Sequence, residues 1–402
     1  MLRFEQALAA VHEKLSAAFP RPPAEIAPLA QVRGRVLAED ISADRDTPPF
    51  HRATRDGFAV RSFDLADLPA VLECAGEVRA GEHFAGEIDS GKCVEIMTGA
   101  PLPGGADAVV MIEHTRREGS KVEISRAVQA WENIVRQGSE AAAGSVVLQC
   151  GRRLGAGEIG LLAAVGKEQV RVFAKPRVAI LPTGDEVVPA GQVPEWFQIR
   201  NSNAASLAAQ VEASGGVPLI VGIAPDEKQE LRRMILKGLE ADLLLLSGGV
   251  SMGKYDLVEQ VLTGLGAEFY FQGVAIRPGK PLAFGHVGGK FFFALPGNPV
   301  STYVTFELFA QPALNLLGGA EFESPTFLRA RLGKPLRQKT GLTAFMPARV
   351  ETENSDPVVN LVGWQGSGDL VGVAAANCFL VVHPHQTELA AGDWVDVLPK
   401  GQ

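Results

Sequence analysis

Residues 241–256, ADLLLLSGGVSMGKYD, constrain the fold of this chain more than any other stretch. Residues 242–246 form a short apolar run of the kind that makes a buried parallel strand. It stops at Ser247-Gly248-Gly249, where backbone without side chains can turn sharply and let a ligand approach closely. From Tyr255 the spacing becomes helical, with Leu257, Val261 and Leu265 on one face. Strand, glycine loop and helix start, in that order, gather free backbone N–H groups into an anion site. Gly248 and Gly253-Lys254 stand at the spacing of a P-loop, yet Tyr255 occupies the position of its Mg2+-binding Ser or Thr, and Asp256 follows. The loop reads as a seat for phosphate-like groups, but not that of a standard nucleoside triphosphatase.

Strands and helices alternate on both sides of this unit. Strands are expected at 178–181, 217–221, 269–276 and 291–295. Helices are expected at 201–213, after Pro225-Asp226-Glu227, and at 299–316. This pattern predicts a central, doubly wound, mostly parallel α/β domain over 174–320, with ligands at the carboxyl ends of the strands. Four marked loops fall at predicted strand ends: 183–186, 247–254, 277–281 and 295–299. Four such loops on one sheet edge imply a site.

Elsewhere the chain is mostly β. Residues 4–15 have helical spacing, ended by Pro20, Pro22 and Pro23. Pro48-Pro49 fixes an extended segment suited to a crossing between domains. Short strand signals then run from 56 to about 147, and again from 321 to the end, where Gly366-Ser367-Gly368 is a tight loop. The net charge of −8 argues against a general nucleic-acid or anionic-membrane surface, so an anionic ligand must be drawn in by local cations. Cys74, Cys93, Cys150 and Cys378 form no C-x-x-C and fit reduced thiols. Glu5 and Glu13 lie among the N-terminal apolar residues, unlike a signal peptide, and no apolar run has the length of a membrane span. A soluble, cytoplasmic protein is expected.

The loops carry the chemistry. Glu186, Asp226 and Asp256 on one strand-end edge can hold Mg2+, which takes oxygen ligands and bridges to phosphates. Asp226 could equally serve only as the dipole partner of its helix, and Asp256 as a cap. Arg277 and Lys280 lie three residues apart in a proline-stiffened loop and can bind a tetrahedral oxyanion. His383-Pro384-His385 has no third metal ligand nearby, and no Cys–His or Ser–His–Asp arrangement is supported.

Several motifs recur in a telling order: Asp56-Gly57-Phe58-Ala59-Val60, Met97-Thr98-Gly99-Ala100-Pro101, Thr183-Gly184-Asp185-Glu186, Ser247-Gly248-Gly249-Val250-Ser251, Pro278-Gly279-Lys280-Pro281 and Leu295-Pro296-Gly297-Asn298-Pro299. Together they resemble the MoeA family of molybdopterin molybdenumtransferases, related to the gephyrin E domain, almost end to end. The resemblance implies four domains: an elongated one from 1–45 and 141–173, an inserted β-rich one at 46–140, the α/β domain at 174–320, and a C-terminal β-barrel-like domain at 321–402. It implies a homodimer whose active cleft is completed by the second subunit. It also implies Mg2+-dependent hydrolysis of adenylylated molybdopterin, giving AMP, with molybdate joining the dithiolene sulfurs. Asp56, Thr98, Glu186, Asp226 and Asp256 are then the catalytic set, with the metal on Asp226, Asp256 and Glu186. Ser247, Gly248, Gly249, Ser251, Arg277, Lys280, Pro296, Gly297, Asn298, Ser301 and Ser367 bind the substrates. Molybdopterin adenylyltransferase and molybdoenzyme acceptors are the partners implied.

The α/β module alone fits two other enzymes, an adenylyltransferase and a nucleotide pyrophosphatase-like hydrolase, and a non-catalytic scaffold is a further alternative. Three departures from the family pattern stand out. Arg52 and Arg55 precede the Asp-Gly-Phe motif, Asn201 replaces a frequent Asp, and Arg277 replaces a common Lys.

Overall fold

A computed structural model describes residues 1–18, 21–249, 257–338, 341–353 and 355–401. Six strands build the central sheet: β1 (Arg177–Pro182), β2 (Val217–Ile220), β3 (Leu243–Ser247), β4 (Glu268–Gln272), β5 (Ala283–Val287) and β6 (Lys290–Leu295). Their order is β2-β1-β3-β6-β5-β4, parallel across the first four and antiparallel at β5 and β4. All of β3 is buried, as an apolar strand covered on both faces must be. Alternate residues serve opposite faces. Leu243 and Leu245 join one core with helix Ser202–Ala213, while Leu244 and Leu246 join another with helices Lys228–Gly238 and Leu257–Gly264.

The register sets the functional edge. Pro182 pairs with Ser247, and Ser247 with Leu295, so β1, β3 and β6 end level and release their loops side by side.

Three expectations need correction. The strand expected at 269–276 stops at Gln272, where Gly273 adopts φ +91° and turns the chain. Ile276–Arg277 then pairs with Thr343 and Ala344 of the C-terminal part. The 277–281 loop therefore does not follow a strand of the central sheet. It reaches the same edge because it enters antiparallel β5, whose Ala283 pairs with Ala294 of β6. Second, β5 is a strand that the sequence reading does not include. A Cβ on Gly285 would lie 2.4 Å from the Glu268 carbonyl oxygen and 2.6 Å from the Phe292 ring, so close strand approach demands glycine. Third, the helix expected at 299–316 is interrupted: α-helix Pro299–Thr305 passes through a π-helical turn, Phe306–Ala310, into α-helix Gln311–Leu317.

The other parts frame this sheet. Helix Phe4–Ala18 buries Phe4, Leu8, Val11 and Leu15 in the α/β core. Residues from 27–43 and 154–172 share a separate core, zipped by strands Ala24–Pro28 and Gln169–Phe173. Between them lies a six-stranded sheet with Gly57–Val60 flanked by Lys92–Ile96 and Ala108–Met111. At the C-terminus, strands Leu328–Leu332, Thr343–Glu353, Asp356–Leu361, Cys378–Val382 and Trp394–Pro399 close into a five-stranded barrel. Among the described residues, no helix is long and apolar enough to cross a membrane.

Candidate active site

A cleft of about 1050 Å³ opens where β1, β3 and β6 end, between the α/β part and the loop before the short helix Leu370–Ala375. Glu186 and Asp226 line it from one side, Arg277 and Lys280 from another. Ser247, Gly248 and Gly249 come from the end of β3; Pro296, Gly297, Asn298 and Ser301 come from the end of β6; Ser367 comes from the C-terminal part.

Local sequence explains each placement. Gly248 and Gly249 have φ of +96° and +65°, and a Cβ on Gly248 would lie 2.6 Å from the Thr183 carbonyl oxygen. Only glycine makes this turn without strain. Asp226 was expected within the first turn of its helix, but that helix begins at Lys228. Glu227 caps it, accepting from the N–H groups of Gln229 and Glu230 at 3.0 and 2.7 Å. The Asp226 carboxylate is thus released from capping and lies exposed in the cleft, while its N–H donates to Asp185 Oδ1 at 3.0 Å. Asn201 caps the helix Ser202–Ala213 through its side-chain oxygen, which accepts from the Ala204 N–H, so the departure from Asp keeps the cap.

Arg277 and Lys280 are both exposed. Gly279, at φ +107°, lies between them against Thr305. Across the cleft, Asp369 accepts from the N–H groups of Gln365 and Gly372 and so holds the loop that carries Ser367. Those bonds keep the Asp369 carboxyl below its usual range, the Gly372 N–H contributing most.

Not every expected residue meets here. Ser251 and Asp256, with Lys254, lie outside the described residues. Asp56 and Thr98 do not line this cleft within one chain. They face each other on the β-rich part, where Asp56 Oδ1 accepts both the N–H and the hydroxyl of Thr98 at 2.7 Å. The Thr98 N–H, then its hydroxyl, hold the Asp56 carboxyl below its ordinary range. His383 is engaged with Asp396 at 2.8 Å.

Other residues at the site carry no sequence signal of their own, apart from Thr183, which opens the Thr183-Gly184-Asp185-Glu186 motif. Thr183 and Trp364 line the cleft, and Asn203 donates its side-chain amide to the Gly297 carbonyl at 2.8 Å. A polar residue early in a helix does not announce a tertiary partner.

Among the described residues, no group of three or more His, Cys, Asp or Glu could hold a metal. Glu186 and Asp226 remain as hard oxygen donors in the same cleft as the glycine turn, a set that suits Mg2+, since this ion commonly takes one or two carboxylates and completes its shell with water and phosphate.

An open α/β sheet with carboxylates, cations and a glycine turn on one strand-end edge defines the class, an α/β protein whose candidate site lies at the carboxyl ends of the strands. Three family models match in succession: "MoeA N-terminal region (domain I and II)" over residues 2–166, "Probable molybdopterin binding domain" over 179–316, and "MoeA C-terminal region (domain IV)" over 329–400. The molybdopterin molybdenumtransferase of Bacillus subtilis (strain 168) is 36% identical over 373 residues, which span 90% of this chain and 87% of the relative. That of Staphylococcus epidermidis (strain ATCC 12228) is 34% identical over 370 residues, spanning 91% and 88%. The crystal structure of the molybdopterin biosynthesis moeA protein from Pyrococcus horikoshii OT3 superposes with a TM-score of 0.82 at 30% identity, covering 99% of this chain and 100% of that one. The chain belongs to the MoeA family of molybdopterin molybdenumtransferases.

Proposed function

We infer that this protein is a molybdenum insertase, which hydrolyses adenylylated molybdopterin with Mg2+, releases AMP and places molybdate on the dithiolene. The observation that carries this reading is one cleft that combines exposed carboxylates, Glu186 and Asp226, with exposed cations, Arg277 and Lys280, around the glycine turn. A protein of net charge −8 needs such a local cluster to hold two anions.

The residues divide the work by charge. The turn at Ser247, Gly248 and Gly249 takes the diphosphate, and Glu186, Asp226 and Asp256 would hold Mg2+, which supplies positive charge against the phosphate oxygens. Water adds at phosphorus, the bridging P–O bond breaks, and AMP leaves. Arg277 offers a planar fork and Lys280 a point charge to the molybdate dianion, with hydroxyls from Ser251, Ser301 and Ser367 and the Pro296–Asn298 turn beside them. The homodimer belongs to this reading. Asp56 and Thr98 of one protomer complete the cleft of its partner, with the Asp56 carboxylate held ionised by Thr98. The finished cofactor passes to an acceptor molybdoenzyme, and the substrate arrives from the adenylyltransferase.

The β-rich part, with its Asp56 and Thr98 motifs, and the barrel weigh against the adenylyltransferase and hydrolase alternatives, which rest on the α/β module alone. The test is AMP release by purified protein given adenylylated molybdopterin, with Mg2+ and then with a chelator. Release that stops on chelation is expected. A protein that binds substrate and frees no AMP under either condition is a scaffold.

A further inference from the structure

Two buried hydroxyls, on residues that line the cleft, have no partner. Thr183 is 4% exposed and Ser247 2% exposed, and neither Thr183 Oγ1 nor Ser247 Oγ makes a hydrogen bond. Among the described residues only three buried side-chain atoms are left in this state, and these two both belong to residues that line the cleft. The third is the amide oxygen of Gln210, whose Nε2 is already given to Glu307. Buried polar groups without partners are costly and uncommon, so two in one place call for an explanation.

Their positions are fixed by the sheet. Pro182 pairs with Ser247, and the Thr183 N–H donates to the Ser247 carbonyl at 2.9 Å, so the two residues are neighbours across β1 and β3. Thr183 Oγ1 lies against the glycine turn: a Cβ on Gly248 would come within 3.1 Å of it, and one on Gly249 within 2.8 Å. The turn does not satisfy it, because the Gly248 N–H is directed to the Leu295 carbonyl. A hydroxyl can donate or accept. With Arg277 and Lys280 exposed in the same cleft, the ligand is an anion and the hydroxyls donate.

We propose that Thr183 and Ser247 form a paired-hydroxyl floor that donates to a tetrahedral oxyanion in the cleft, which makes Thr183 a substrate-binding residue of this protein. The inference deepens the insertase reading and rests on it for the ligands. The shared chemistry is a tetrahedral oxyanion, carried either by a phosphate ester or by molybdate.

Calorimetric titration of wild type, Thr183→Val and Thr183→Ser separates the sources, with AMP as one probe and sodium molybdate as the other. Valine keeps the shape and removes the hydroxyl. It is expected to weaken binding about tenfold in at least one arm, with serine restoring the affinity. The melting temperature of the valine variant is expected to hold or rise, because an unpaired buried hydroxyl has been replaced by a methyl group. A loss with AMP assigns the floor to phosphate, and a loss with molybdate assigns it to the metal oxyanion; either supports the proposal. Equal affinities of wild type and Thr183→Val for both probes overturn it while leaving the insertase reading intact. A weakened valine variant that also melts lower, and is not rescued by serine, overturns it as a packing effect. A wild type that binds neither probe overturns the proposal together with its parent reading.

Discussion

Asn298 donates its side-chain amide to the Ser367 hydroxyl at 2.8 Å, across the line where the α/β sheet edge meets the C-terminal part. The Val300 N–H donates to the Ser367 carbonyl at 2.9 Å, so the backbone is tied at the same point. Ser367 thereby belongs to the wall of the cleft although it lies 119 positions after Gly248 in the chain. Ser367→Ala keeps the backbone tie and loses the hydroxyl. Its turnover is expected to fall by up to about tenfold with little change in melting temperature, since one neutral hydrogen bond is removed. Steady-state kinetics beside a thermal melt check this.

Lys280→Gln removes a charge that faces the cleft and leaves the glycine turn alone. The molybdate concentration for half-maximal insertion is expected to rise by about tenfold or more, as charge-assisted contacts are stronger than neutral ones. AMP release in the absence of molybdate is expected to change much less. Equal damage to both steps would place Lys280 on the diphosphate instead.

Thr98→Val withdraws the hydroxyl donor from Asp56 and leaves the N–H donor in place. The Asp56 carboxyl is then expected to titrate higher, towards the ordinary carboxylate range, as read by NMR of its carboxyl carbon. In the wild type its folded value is depressed, so its ionised contribution is present above that ordinary range and fades as pH falls through the depressed value. The acid limb of activity should therefore move to higher pH in the variant.

Glu307 tests the sign of the opposite shift. It is buried in the π-helical turn, and desolvation raises its carboxyl above the usual value despite a 2.7 Å bond from Gln210. A raised folded value means that the native state binds the proton more tightly, so stability falls as pH rises from the unfolded value through the folded one. Glu307→Gln should remove that decline, and its advantage in melting temperature over the wild type should grow from acid to neutral pH.

Mixing Asp56→Asn chains with Asp226→Asn chains probes the dimer. If Asp56 serves the partner's cleft, random exchange leaves about a quarter of all sites intact in the mixture, with each single variant nearly inactive. No recovery after verified exchange would confine Asp56 to its own chain.

The apolar run of β3 and its glycines are legible because burial on both faces and left-handed backbone leave residue-level marks. The carbonyl of Val110 explains another mark: a Cβ on Gly57 would lie 1.9 Å from that oxygen, so part of the Asp56-Gly57-Phe58 motif is required by the β-sheet itself. What could not be read depended on contacts distant in sequence. The need for glycine at Gly285 in β5 shows only once Glu268 and Phe292 are seen against it. Thr183 is legible as the head of the Thr183-Gly184-Asp185-Glu186 motif, but its unpaired hydroxyl is visible only once its surroundings are assembled. Glu227 and Asp226 differ only in register at a helix start, and capping gave one to the helix and the other to the cleft.

The most direct measurement is the ratio of AMP released to molybdenum delivered when purified protein receives adenylylated molybdopterin, Mg2+ and molybdate. A single two-anion cleft should give one molybdenum, scored as active cofactor in an acceptor enzyme, for each AMP. AMP released without molybdenum transfer would contradict that claim and leave a hydrolase.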